Sequence, residues 1–520
     1  MRASALFFVA VIVACGAATD DEERVATRGD AFTSAHAELA DFEFDARIIA
    51  PTNDPPTVRK LLETQLLYTI GELNGERSVA RLDRAEFVGK TLGNVPGDPP
   101  QYELTYHVTL PVAWGADTLP SSYEFILPLR VGEQDQAKFT AKYAKKCSDP
   151  EGGIVDSVKD SGRMFLFYRP HRQGCALSSS DVFHATATVT RSTENTTGKY
   201  PEYQLVWADH TLDFVAVFGR ESEDENDDAG SLAYASFVSG ADAHLAELQP
   251  NATKRARTSD ATLNRDNVHL SAELDDGRKV NVDAIRTRPH VSEEEAQFDI
   301  WYDAHTKAAD VIFYSGHAGL GRNVRALAQK GEFVQGKYVV YVINGCDTFA
   351  YLDPTLVVRR AAVNPDDPTG TKYMDAVTNV LGGYFHTGDE TGARFLRAMT
   401  TAPYSTPQTY RDIAEGVDAT QVMVVSGEED NVFAPGMIPA PPNPAGGPPP
   451  TNAIENPDAS PPPVTVKTDD DAPAKKTRAK NGCTASPAER ETASSGPLAL
   501  AALIVLFVRR ALTRPRRATH

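Results

Sequence analysis

The chain has 520 residues, 41% of them hydrophobic and 8% aromatic, which is enough for roughly two or three ordinary cores together with unstructured segments. Its formal net charge is −19 at pH 7. So acidic a chain repels phosphate backbones, which excludes nucleic acid as an expected partner.

The first residues read MRASALFFVAVIVACGAATDDEE: one Arg, an apolar stretch, then acidic sequence. This is the pattern of an export signal, and the apolar run is too short for a membrane helix, which needs about twenty residues. Its end, Ile12-Val13-Ala14-Cys15-Gly16, resembles a bacterial lipoprotein box, with residues 1–18 as the signal segment and Cys15 as the residue to be lipidated. Ordinary secretion is the alternative. Either route delivers the mature chain to an oxidising space.

Residues 40–178 read as an α+β module. Phe42–Ile49 is strand-like, and Thr57–Leu73 carries Val58, Leu61, Leu62, Leu66, Leu67 and Ile70 at helical spacing. Three strands follow at Ser78–Val88, Tyr102–Trp114 and Ser122–Val131, and the alternation of Tyr102, Leu104, Tyr106, Val108 and Leu110 implies one buried and one solvated face. Gly162–Tyr168 is expected to add another strand. No catalytic constellation occurs here, so a structural module is the preferred reading over a docking, substrate-binding or inhibitory one.

From 180 to 433 the pattern changes to strands alternating with helices. Phe183–Thr190 and Glu202–Ala208 are expected as a hairpin pair, and Leu212–Phe218 as a fully apolar strand. A helix over Leu232–Leu248 follows, then strands Val268–Leu274 and Lys279–Ile285 around the turn Asp275-Asp276-Gly277. A helix over Glu293–Ala308, with Ser292 as its N-cap, leads into the next strand. The acidic run Glu221–Asp228 fails the EF-hand pattern, because Ala229 stands at the glycine position and Ala235 at the final glutamate position; it reads as a solvated loop.

The centre of the chain is Asp310–Asp347, DVIFYSGHAGLGRNVRALAQKGEFVQGKYVVYVINGCD. Two apolar runs without polar alternation, Val311–Tyr314 and Tyr338–Ile343, flank a helix-like NVRALAQKG. Such runs are apolar on both faces, as adjacent parallel strands covered by helices must be. The first ends in Gly316-His317 and the second in Gly345-Cys346. Ligands of open α/β sheets sit at the carboxyl ends of the strands, so an imidazole and a thiol should meet there. A thiolate nucleophile, an imidazole base and backbone N–H donors for the oxyanion are the parts of cysteine catalysis. The glycine cluster Gly316, Gly319, Gly321 fails the dinucleotide pattern, since Val324 stands where the third glycine is required.

An apolar strand ending in His, followed by a second ending in Cys, resembles the caspase, legumain and gingipain superfamily of cysteine peptidases, and the bacterial gingipain-like branch most of all. The resemblance implies an α/β fold whose mostly parallel sheet carries helices on both faces, with His after the third parallel strand and Cys after the fourth. It implies His317 as general base and acid, Cys346 as nucleophile, and the N–H groups of Ala318 and Cys346 as the oxyanion hole, acting on a peptide or protein substrate. The family usually has Gly directly after the His; here Ala318 holds that place and Gly319 comes one later. No metal ligand set or cofactor is expected in the site, although relatives can bind structural calcium. A chain that keeps the fold without catalysis, as a surface-binding protein, is the alternative function.

After Cys346 come a helix-like Tyr373–Phe385, helices Gly392–Thr400 and Gln408–Gly416, and a last apolar run Gln421–Val425. His386 is the reserve candidate for the base. Residues 434–482, Pro-rich and then charged, read as a disordered spacer. The tail, 483–520, has Cys483, an apolar segment Pro497–Val508 and Arg509, Arg510, Arg514, Arg516 and Arg517. It resembles myxobacterial C-terminal sorting tails, and the arginines are expected to stay cytoplasmic. With Cys15, Cys346 and Cys483 thus assigned, Cys147 and Cys175 are expected to form a disulfide. The sum is an exported protein held at the cell envelope or surface by lipid, by the tail, or by both.

Overall fold

In the computed structural model, residues 32–34 and 37–438 are described, apart from 97–99, 117, 193–198, 224–227, 295, 401–405, 418–420 and 428–429. The signal segment with Cys15, the spacer beyond residue 438 and the tail with Cys483 lie outside these residues. Among the described residues no helix is long and apolar enough to cross a membrane.

The fold is mixed α/β, with two sheets among the described residues. After a short strand, β1 (Phe32–Ser34), the chain builds the smaller sheet from β2 (Glu38–Ala50), helix α1 (Pro55–Asn74), β3 (Val79–Ala80), β4 (Glu86–Val95), β5 (Gln101–Trp114), β6 (Ser122–Pro128), helix α2 (Glu133–Cys147) and β7 (Val182–Arg191). The strand order is β3-β5-β2-β7-β6, with β4 also on β5, and every pairing is antiparallel. Alternation decides its faces: Phe42, Phe44, Ala46 and Ile48 of β2 are buried, while Glu43 and Asp45 between them point to water. α1 opens with Asp54 as N-cap, its carboxylate accepting from Thr57 N (3.1 Å), and buries Leu61, Leu62, Leu66 and Tyr68.

The larger sheet follows: α3 (Tyr203–Val206), β8 (Thr211–Gly219), α4 (Ala229–Leu248), β9 (Arg255–Thr258), β10 (Asn267–Glu273), β11 (Lys279–Thr287), α5 (Ala296–Thr306), β12 (Val311–Ser315), α6 (Arg322–Gln329), β13 (Val339–Asn344), α7 (Thr355–Val363), β14 (Met374–Asn379), α8 (Gly388–Thr400), α9 (Tyr410–Glu415) and β15 (Met423–Ser426). Its order is β1-β15-β14-β13-β12-β8-β11-β10-β9. The centre, β11 to β14 through β8, is parallel and the edges are antiparallel. Successive residues of β8 feed two cores: Phe214, Ala216 and Phe218 pack with α4 and α8, and Val215 and Val217 with α5 and α6. Helices therefore cover both faces, which is why the central strands lack polar alternation. The second of these cores runs without a break into that of the smaller sheet.

Several expectations need correcting. Phe183–Thr190 pairs not with 202–208 but with β2 and β6, so it closes the smaller sheet; its alternation showed which residues are buried, not which sheet they join. Glu202–Ala208 forms the short helix α3 instead of a strand. Gly162–Tyr168 is a 3-10 turn over Ser161–Phe167, where Met164, Phe165, Leu166 and Phe167 are all buried without a ladder partner strand. Tyr373–Phe385 contains the fully buried strand β14 in place of a helix; a six-residue apolar run carries no period that separates the two. The helix after Ser292 begins only at Ala296, because residues Val291–Glu293 make a separate 3-10 turn.

Cys147 and Cys175 are joined by a disulfide with Cα atoms 4.8 Å apart. The bridge ties the end of α2 to the segment before β7 across a separation of 28 residues. In the chain-entropy account a loop of this size is worth about 3 kcal/mol. The Cys147→Ala/Cys175→Ala variant should therefore unfold at a clearly lower denaturant midpoint, and an unchanged midpoint would show that the bridge adds nothing to stability.

Candidate active site

β12 and β13 are buried along their whole length and pair in parallel, with Ser315 opposite Asn344. The ladder runs one step further, Gly316 N–H donating to Asn344 O at 3.1 Å, so that Gly316-His317 and Gly345-Cys346 leave the sheet side by side. A Cβ at position 345 would lie 2.7 Å from Gly316 O and 3.3 Å from Ala318 N. Only glycine lets the two turns approach this closely.

Beyond His317 the chain turns through three successive left-handed residues, Gly319, Leu320 and Gly321, with φ of 61°, 51° and 85°. Leu320 is exposed and holds a conformation unfavourable to a side chain with a Cβ. The loop is pinned from within: His317 O accepts from Tyr314 Oη (2.7 Å) and from Nδ2 of the buried Asn323 (2.8 Å), which also donates to Pro289 O (3.0 Å). Neither Tyr314 nor Asn323 was singled out by sequence, since a Tyr in an apolar strand and an Asn in a helix's first turn carry no distinctive signal.

The imidazole of His317 is half-buried. Its Nε2 lies 2.9 Å from the backbone O of Glu221. A carbonyl only accepts, so Nε2 carries the proton of the neutral ring and Nδ1 keeps its lone pair. The Phe385 ring stands edge-on to the imidazole with centroids 4.8 Å apart. Burial, followed by repulsion from His290, holds the His317 pKa below its ordinary 6.5, although the Glu221 carbonyl works the other way. The ring is neutral at physiological pH.

Cys346 is also half-buried, and its Sγ lies 3.7 Å from Gly383 O. Sulfur and imidazole thus touch the same short segment, Gly383 at one end and Phe385 at the other. Ala318, the expected oxyanion donor, is 3% exposed, and among the described residues its N–H has no acceptor. The other expected donor, the N–H of Cys346, belongs to the facing turn. Asp347, directly after the cysteine, is 3% exposed and in the left-handed region at φ 52°; burial raises its carboxyl to about 6.

His386, the reserve base, is exposed and sits against Tyr384 instead of the sulfur. The described part of the acidic run is tied to the protein: Asp228 caps α4 by accepting from Ser231 N (2.8 Å) and pairs with Arg220 (3.3 Å). Among the described residues no group of His, Cys, Asp or Glu is placed to hold a metal ion. What the run supplies to the site is the Glu221 carbonyl, a backbone group that no residue pattern could have announced. No protein-family model matches the chain, and no curated protein matches it.

The Phe385 contact makes a testable point. Phe385→Ala should admit water to the imidazole and raise the His317 pKa toward 6.5, read from its ring protons in an NMR titration. A pKa that stays put or falls would mean that Phe385 does not shield the ring.

Proposed function

We propose that the chain is a cysteine endopeptidase of the caspase and gingipain type, exported and held at the cell envelope, with Cys346 as nucleophile and His317 as its base. The observation that carries this reading is the shared edge of β12 and β13, where imidazole and sulfur touch one segment beside the buried Ala318 N–H. The order of the sheet supports it too: counting β8, β11, β12 and β13 along the chain, His317 follows the third parallel strand and Cys346 the fourth.

A peptide substrate enters at the shared carboxyl edge of β12 and β13. His317 Nδ1 then takes the thiol proton, and the thiolate adds to the scissile carbonyl carbon while the carbonyl π pair moves to oxygen. The N–H groups of Ala318 and Cys346 receive that oxyanion. As the C=O bond re-forms, the C–N bond breaks and the imidazolium protonates the departing amine. Water, deprotonated by the same ring, hydrolyses the thioester and returns the thiol. The Glu221 carbonyl fixes the ring for both transfers, and its low pKa keeps it available as a base at physiological pH. Lipidation at Cys15 and sorting through the tail at Cys483 would supply the envelope attachment.

A second reading, a surface-binding protein that keeps the fold without catalysis, is favoured by one observation: Ala318 stands directly after His317, where the resembled family has Gly. Alkylation separates the two. In the full-length protein Cys346 should react with iodoacetamide at mildly acidic pH, where an ordinary thiol with a pKa of about 8.5 is slow. The rate should drop in His317→Ala and the label should vanish in Cys346→Ala, with cleavage of a peptide library lost in both. Fast alkylation without cleavage would point to the binding protein. A Cys346 that reacts only in the unfolded chain would return both residues to the core.

A further inference from the structure

The residue after the nucleophile is held by the other sheet's helices and loops. Asp347 carries its carboxylate into an enclosed site where Oδ1 has no hydrogen-bond partner among the described residues. Hydrogen bonding from the Asn74 side chain and attraction to the Arg169 guanidinium are what favour its charged form against burial. Asn74 is the last residue of α1 and Arg169 follows the 3-10 turn, both far from Cys346 in sequence. Arg169 is in turn fixed: its N–H donates to Cys147 O (2.8 Å), and its guanidinium reaches Gly71 O, Tyr168 O (3.2 Å) and Asp149 (3.3 Å). The 3-10 turn Thr348–Tyr351 that follows Asp347 packs against β3, the strand next after α1, so the module reaches this buried side chain beside the turn that carries Cys346.

Asp347 also shapes that turn. Its left-handed backbone is a conformation in which Asp is among the few tolerated residues, its N–H donates to Leu381 O (3.1 Å), and its O accepts from Ala350 N (2.9 Å). We propose that Asp347 is a positioning residue through which Asn74 and Arg169 of the N-terminal module set the nucleophile-bearing turn, making the module part of the working site instead of a detachable cover. The inference rests on the proposed role of Cys346.

The test uses the full-length chain and reads three quantities: the alkylation rate of Cys346, kcat and KM on a cleaved peptide. Arg169→Ala leaves a buried carboxylate without its cation. It should lower the alkylation rate and kcat by about tenfold with KM little changed, because the turn and not the substrate site is displaced. Adding Asp347→Asn removes the charge that needed Arg169, while Asn keeps the amide shape and the left-handed tolerance; the double variant should regain most of the rate. A general loss of packing at Arg169 would not be repaired this way. Asn74→Ala, alone and with Asp347→Asn, repeats the comparison without disturbing the contacts of Arg169 to Gly71 and Asp149, and decides the matter should Arg169→Ala fail to fold. Single variants with normal rates, or double variants no faster than the singles, would overturn the proposal. If the wild type alkylates rapidly yet cleaves nothing, the peptidase reading fails, while the alkylation rates still report whether the module sets the turn.

Discussion

The parallel ladder between β12 and β13 is the constraint on which the site depends. Because the two strands are in register to Ser315 and Asn344 and the bonding continues through Gly316, their exits cannot diverge. Gly345 then lets the second turn press on the first, bringing the Ala318 N–H beside the cysteine's turn. A side chain at 345 would have to displace backbone on both sides. Chemistry that needs a base, a nucleophile and an oxyanion donor within a few ångströms of one another is better served by two strand ends fixed by a ladder than by loops free to drift.

The parts of this arrangement that reside in side-chain type were legible in the sequence. Val311–Tyr314 and Tyr338–Ile343 lack alternation because both faces of the sheet are covered, and the change from these runs to glycine marks where each strand stops. His317 and Cys346 could be placed for that reason. The parts that reside in backbone or in distant loops were not legible. The Glu221 carbonyl orients the imidazole, yet any residue at position 221 would present one. Phe385 shields the ring from a segment that reads as the tail of a helix, since the short run Met374–Asn379 does not reveal its strand character. In the same way, the alternation in β7 fixed its buried face but left its sheet undetermined.

The relation between the two sheets follows from burial. A single apolar core continues from α5 and α6 into the smaller sheet, so separating the sheets would expose apolar area on both. At the end of this shared core, directly after Cys346, lies the buried Asp347, whose charge burial disfavours and Asn74 and Arg169 support. Such a group is costly unless it is paired, and its partners belong to the module. The disulfide Cys147–Cys175 closes the loop that carries Arg169, whose N–H donates to Cys147 O.

The central claim is that imidazole, sulfur and the Ala318 N–H form one reaction centre. A crystal structure of the protein with a peptide aldehyde tests it most directly. The account predicts a thiohemiacetal, with a bond from Cys346 Sγ to the aldehyde carbon, its oxygen within hydrogen-bond distance of Ala318 N, and His317 Nδ1 turned toward the adduct while Nε2 keeps the Glu221 carbonyl. An adduct whose oxygen points away from Ala318 toward solvent, or an aldehyde that leaves Cys346 unmodified, would contradict it.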